Sequence, residues 1–336
     1  MDLFRLTRAL VDIESTTPNE GRVGEFLCEQ LTPLVQSFAG TLERLQVEPA
    51  RFNVFASWGN PDVTLSTHMD TVPPFFVSRE DGEHIHGRGS CDAKGIIATM
   101  IEAARLLLES GVRRIGLLFV VGEERNSAGA LAAAKNPRGA RYIICGEPTE
   151  NKIAVGSKGV LRYEIVANGR MAHSAYPELG ESAIDKLIDA LVGLRGMPMP
   201  NDELLGPSTL NIGTIEGGRA PNVISDHARA EILIRLVNDA ANLRESVARA
   251  VAGLAEAREV LCIPAVRLGA FDRLPTTIAA FTTDIPAFGK AWGTPYLIGP
   301  GSIHVAHTEH ESVSKRQLRD AVDIYVRMVK RLQASL

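Results

Sequence analysis

Ile115-Gly116-Leu117-Leu118-Phe119-Val120-Val121-Gly122-Glu123-Glu124 is a short apolar run closed by a glycine and two acids. A run of this length, bounded by a turn residue, reads as a fully buried strand. Its neighbours repeat the pattern: Val63–Thr67 ends at His68-Met69-Asp70, and Tyr142–Cys145 ends at Gly146-Glu147-Pro148. Phe52–Trp58 is a further strand. Lys94–Glu109 places Ile97, Met100, Ile101, Ala104 and Leu108 on one helical face. Strands alternating with helices predict an α/β domain on a doubly wound, mostly parallel sheet. Upstream, Leu3, Leu6, Leu10 and Ile13 recur at helical spacing, as do Val23, Phe26, Leu27, Leu31 and Leu34. Ser15-Thr16-Thr17-Pro18 separates the two sets and offers capping chemistry to the second helix.

After Lys158 the rhythm changes. Val160–Ala167, Ser208–Ile215, Ala230–Val237 and Val260–Leu268 have strand character, and Glu181–Leu194 and Ala240–Ala257 read as helices. That βαββαβ order predicts a ferredoxin-like α+β layer over 158–268, inserted into a domain made of 1–157 and 269–336. From about Thr276 the α/β rhythm resumes. Asp284-Ile285-Pro286 can start a helix, Tyr296–Ile298 is a short strand, and Gln317–Leu332 is a last amphipathic helix.

Composition narrows the function classes. The 336 residues suit about two domains. Thirty-six Lys and Arg against 40 Asp and Glu give a net charge of -4 with no basic block, which argues against a nucleic-acid partner. Cys28, Cys91, Cys145 and Cys262 form no CxxC pair, so neither a disulfide framework nor a thiolate zinc site is implied. No apolar stretch reads as a leader or a membrane span, and a cytoplasmic, membrane-free protein is expected.

In open α/β sheets, sites form at the carboxyl ends of strands. Here those ends and the adjoining loops carry His68, Asp70, Asp92, Glu123, Glu124, Glu147 and His307. One acid after a strand is ordinarily a solvated cap, but convergence of this many calls for a cation. Two imidazoles with several carboxylates suit zinc, cobalt or manganese. His84 and His86 sit in a polar hairpin, His304 and His310 only flank His307, and Cys91 reads as a small packing residue. Gly87-Arg88-Gly89 lacks the GK[ST] of a phosphate loop.

His68-Met69-Asp70-Thr71-Val72-Pro73, Gly87-Arg88-Gly89-Ser90-Cys91-Asp92-Ala93-Lys94-Gly95, Glu123-Glu124, Gly146-Glu147-Pro148-Thr149 and Gly299-Pro300-Gly301 with Ala306-His307 resemble the M20 metallopeptidase and amidohydrolase family. The likeness is to its acetylornithine deacetylase and succinyl-diaminopimelate desuccinylase branch. Asn168-Gly169 through Ala172-His173-Ser174, and Asn211–Gly218 followed by Ala220–Ile224, are similar to the family's lid motifs.

The resemblance implies two divalent ions, most simply zinc, with cobalt or manganese as alternatives. Asp92 would bridge them, His68 and Glu147 would complete one, and Glu124 and His307 the other. Asp70 would orient His68, and Glu123 would be the general base. His173, reaching from the lid of a partner subunit in a homodimer, would stabilise the oxyanion. Arg235, Asn222 and the Gly299–Gly301 turn would hold substrate, with the Gly301 backbone cradling a carboxylate. The implied reaction is cleavage of an N-acyl amino acid; a dipeptidase, a carboxypeptidase or a hydrolase freeing an amino acid from a carrier protein are the alternatives. A non-catalytic metal-containing scaffold is disfavoured by the spare acid Glu123, and a serine hydrolase by the lack of a Gly-x-Ser-x-Gly elbow. Two departures bear on substrate: Arg125-Asn126 follows the paired glutamates, and Gly269–Pro275 is short for the family.

Overall fold

The computed structural model describes residues 2–336 and divides the chain into two compact units. One comprises Met1–Val155, Leu268–Thr277 and Thr283–Leu336; the other Gly156–Arg267 and Ile278–Thr282.

In the first unit six strands form one sheet, in the spatial order Thr41–Glu48, Arg51–Trp58, Ile115–Val120, Val63–His68, Tyr142–Cys145, Thr294–Leu297. The last four pair in parallel, and the first two join antiparallel. Every residue of Val63–His68 and Ile115–Val120 is buried, as expected of parallel strands covered on both faces. The helix Lys94–Glu109 has residues such as Ile97, Met100 and Leu108 inside and packs against both Leu3–Val11 and Lys315–Ala334. The sequence reading missed Thr41–Glu48, an edge strand whose alternate residues are exposed and which has no apolar run.

The expected capping role of Ser15–Pro18 does not hold. The helix Gly21–Ser37 starts after Glu20 with no side-chain cap. Instead Thr17 donates its hydroxyl to Asp70 Oδ2 at 2.6 Å, and Thr71 donates its N–H to the Ser15 carbonyl at 3.0 Å. Partners at a strand end, remote in sequence, win over the local cap.

The second unit has an antiparallel sheet in the order Thr209–Gly217, His227–Leu236, Gly159–Asn168, Glu256–Ile263, with the helices Ala183–Arg195 and Ala241–Val251 packed on it. This is the βαββαβ arrangement. Burial along His227–Leu236 alternates with period two, so one face supplies the core. The helix expected to reach Ala257 stops at Val251. Gly253 adopts φ +74°, a left-handed conformation that ends helices, and Glu256 already belongs to the next strand. No helix among the described residues is long and apolar enough to cross a membrane.

Candidate metal centre

Val63–His68 and Ile115–Val120 are in parallel register with His68 opposite Val120, so their carboxyl ends bring His68 beside the Gly122–Glu124 turn. Gly122 needs its freedom there: φ is +79°, and a side chain would press on Arg51 and Asn126. The N–H groups of Asn126 and Ser127 donate to the Gly122 carbonyl at 3.0 and 2.7 Å and close the turn.

Asp70, fully buried, organises that turn. Its two carboxylate oxygens accept the N–H groups of Glu123 and Glu124, each at 3.1 Å, besides the Thr17 hydroxyl. His68 Nδ1 lies 3.0 Å from the Asp70 backbone carbonyl and 3.5 Å from its carboxylate. Both groups of Asp70 thus lie on the Nδ1 side of the imidazole. The carbonyl is the closer partner orienting the imidazole, whereas the carboxylate holds the two-glutamate turn. An imidazole that donates its Nδ1 proton to such a carbonyl presents Nε2 as the ligand atom.

His68 Nε2 is 2.9 Å from Asp92 Oδ1. On the other side His307 Nε2 lies 3.4 Å from Asp92 Oδ2 and 3.0 Å from Glu124 Oε1. Each Asp92 oxygen thus faces a different imidazole, the disposition of a carboxylate able to bridge two cations. Ligand atoms of His68, Asp92 and Glu124 fall within 4.8 Å of one another. Glu147 is buried after its strand. Burial, then repulsion from Glu147, pushes the Glu123 carboxyl well above the usual range; burial and Asp92 do the same to Glu147. This imidazole–carboxylate set, rich in mutually repelling buried acids, fits divalent ions.

One member escaped the sequence reading. Asp284, seen there only as a helix start, is buried, and burial pushes its carboxyl up to about 7. It adds to the negative field on Glu123 and Glu147, and its Oδ1 has no hydrogen-bond partner among the described residues. No local pattern in Thr283-Asp284-Ile285 signals this.

The cradle expected at Gly301 is closed. Its N–H donates to Gln317 Oε1 at 2.9 Å and that of Gly299 to the Thr149 hydroxyl at 3.0 Å, so neither is free for a substrate carboxylate. Arg125 is exposed to solvent.

The remaining expected residues belong to the second unit. His173 is exposed on Ala172–His173, which pairs with Val223–Ile224. Its Nδ1 accepts the Ala175 N–H at 3.1 Å. The adjacent Asn222 is exposed, and its carbonyl accepts the Ser174 N–H at 3.0 Å. Arg235, on His227–Leu236, is half-buried and makes no ion pair among the described residues; burial lowers its guanidinium from the usual range.

The sequence pattern of peptidase family M20/M25/M40 matches residues 64–331. The chain belongs to this family. A peptidase M20 domain-containing protein of Schizosaccharomyces pombe is 40% identical over 340 residues, covering 98% of this chain and 84% of its own. A protein named as a carboxypeptidase in Aspergillus niger is 38% identical, covering 96% of this chain and 88% of its own. Among solved structures, an M20 family metallo-carboxypeptidase of Sulfolobus solfataricus superposes with a TM-score of 0.79 at 15% identity, over 99% of each chain. This M20 chain is a hydrolase acting on C–N bonds of the amide and peptide type.

Proposed function

We propose that the protein is a metal-dependent carboxypeptidase or dipeptidase that frees a C-terminal amino acid from a small peptide. An N-acyl amino acid presents the same amide with a smaller acyl side, but the carboxypeptidase names of relatives near 40% identity favour peptides over acetylornithine. The carrying observation is Arg235, a half-buried cation with no carboxylate partner of its own. Such a group lacks compensation until a ligand supplies an anion, and a peptide's terminal carboxylate is that anion.

In this reading His68, Asp92 and Glu147 would hold one divalent ion, and Asp92, Glu124 and His307 would hold the other, with zinc, cobalt or manganese suited to the donors. When bound, the ions acidify water and polarise the amide carbonyl. Glu123, held by its N–H on Asp70, takes the proton of the attacking water on its carboxylate and delivers it to the leaving amine. His173, exposed and with Nδ1 held by the Ala175 N–H, donates from Nε2 to the developing oxyanion, and Asn222, in the turn beside it, orients the substrate. Ile188 and Val192 on one helix, and Ile215 on an edge strand, are exposed apolar groups of the second unit. They support a homodimer through that unit, in which each subunit lends His173 to the other.

The test compares a dipeptide, its C-terminal amide and the N-acetyl amino acid. The free-acid dipeptide should be cleaved best, and Arg235→Met should raise its KM about tenfold or more, the worth of one charge-assisted contact, without changing the slow rate on the amide. Equal turnover of acid and amide would overturn carboxylate recognition. Faster turnover of the acetyl compound would return the assignment to a deacylase.

A further inference from the structure

Asp92 and His307 come from segments far apart in the chain, yet their side chains meet at 3.4 Å. Glu311 ties those segments together. Its side chain is sealed from solvent. Oε1 accepts three backbone N–H groups from the loop that ends in Asp92: Gly89 at 2.9 Å, Cys91 at 3.2 Å and Asp92 itself at 3.2 Å. Oε2 takes the guanidinium of Arg88, equally sealed. The main chain joins as well, since the Gly87 N–H donates to the Glu311 carbonyl at 3.1 Å.

Both ends of this contact are braced. Arg88 donates to the Pro74 carbonyl at 3.2 Å and lies 5.0 Å from the centre of the Phe76 ring. Immediately after Glu311, Ser312–Ser314 pairs antiparallel with His84–His86. His307 stands four positions before Glu311, on the same anchored stretch, in a left-handed conformation at φ +64°.

A buried ion pair is by itself poor evidence for stability, because desolvation offsets much of the attraction. Three N–H groups on one carboxylate oxygen satisfy donors that would otherwise be orphaned just before the helix Lys94–Glu109, where the helix dipole also favours an anion. A fold staple could do that anywhere. Here the captured amides include that of Asp92, so holding them sets the reach of a side chain whose two oxygens face two imidazoles.

We propose that Glu311 is a positioning residue for the metal centre: locked by Arg88, its carboxylate fixes the Gly89–Asp92 backbone so that both Asp92 oxygens are presented, while its own segment holds His307 opposite. The inference rests on the reading of Asp92 and His307 as metal ligands. Glu311→Gln keeps the size and one acceptor oxygen, but sets an amide N–H₂ against the Arg88 guanidinium and removes its counter-charge.

The experiment is a chelator-competition titration with zinc on the full-length metal-stripped protein, for wild type, Glu311→Gln and Arg88→Met, alongside thermal melting of each metal-free form. Wild type should take up two ions per chain. Glu311→Gln, still folded, should bind them about 10–100-fold more weakly, the usual cost of losing a group that orients a ligand, with Arg88→Met changing in the same direction. A lower melting temperature with wild-type zinc affinity would make Glu311 a staple only and overturn the proposal. Should Glu311→Gln fail to fold, Arg88→Met decides by the same criterion. A wild-type chain that binds no zinc would instead overturn the metal centre itself, and this inference with it.

Discussion

The two units differ in how far they take charge inward. In the first, beside exposed pairs such as Arg105–Glu109 and Arg316–Asp320, some ionic groups go inward. Arg51 and Glu20 pair at 2.6 Å with side chains 7% and 0% exposed, Arg88 and Glu311 are sealed, and Asp70, Asp92 and Glu147 are buried. In the second, ion pairs such as Arg162–Glu231, Arg229–Glu216 and Arg244–Glu259 lie on a solvated surface. Outward charge is the cheap arrangement and asks for no functional account. Inward charge needs compensation, and in the first unit that compensation is spent on loops bearing ligand-type residues: Arg51 abuts the Gly122 turn, and Glu311 holds the Asp92 loop.

His173 is the second unit's exception, an exposed side chain expected to matter. His173→Ala should lower kcat by about 10²–10³, as loss of an oxyanion donor does, without moving the melting temperature. Mixing it with inactive Glu123→Ala subunits should restore part of the activity, since one hybrid site then holds an intact base and an intact partner histidine. No recovery despite demonstrated subunit exchange would place the histidine in its own subunit's site, or in none.

A smaller effect sharpens the contrast of ion pairs. Arg51→Met leaves Glu20 buried and unpaired, so urea unfolding should show a loss of about 3–5 kcal/mol. Arg162→Met breaks an exposed pair and should cost less than about 1 kcal/mol. Comparable losses in the two variants would contradict the division between the units.

Much of this was legible along the chain, for a physical reason. Parallel strands buried on both faces must be apolar throughout, so Val63–His68, Ile115–Val120 and Tyr142–Cys145 announce themselves, and the polar residues at their ends stand out. His68, Glu123, Glu124 and Glu147 stand out that way, with Asp92 and His307 in adjoining loops, and the family resemblance adds the roles. Contacts set by remote partners were not legible. Thr17 reads as a helix cap and binds Asp70 instead, the Gly301 N–H reads as free and is taken by Gln317, and Asp284 and Glu311 look like ordinary loop acids. Thr41–Glu48 was missed because an edge strand needs no apolar run.

The central claim is a division of labour between adjacent acids at one strand end, Glu123 as base and Glu124 as ligand. Both lie in the turn that follows the strand, where a different oxygen of Asp70 accepts each amide. The direct measurement is zinc content together with peptide turnover in Glu123→Gln and Glu124→Gln. Glu123→Gln should keep its metal and lose about 10²–10⁴-fold in kcat, while Glu124→Gln should bind metal weakly. Metal lost from Glu123→Gln but retained by Glu124→Gln, or full turnover in Glu123→Gln, would contradict the account.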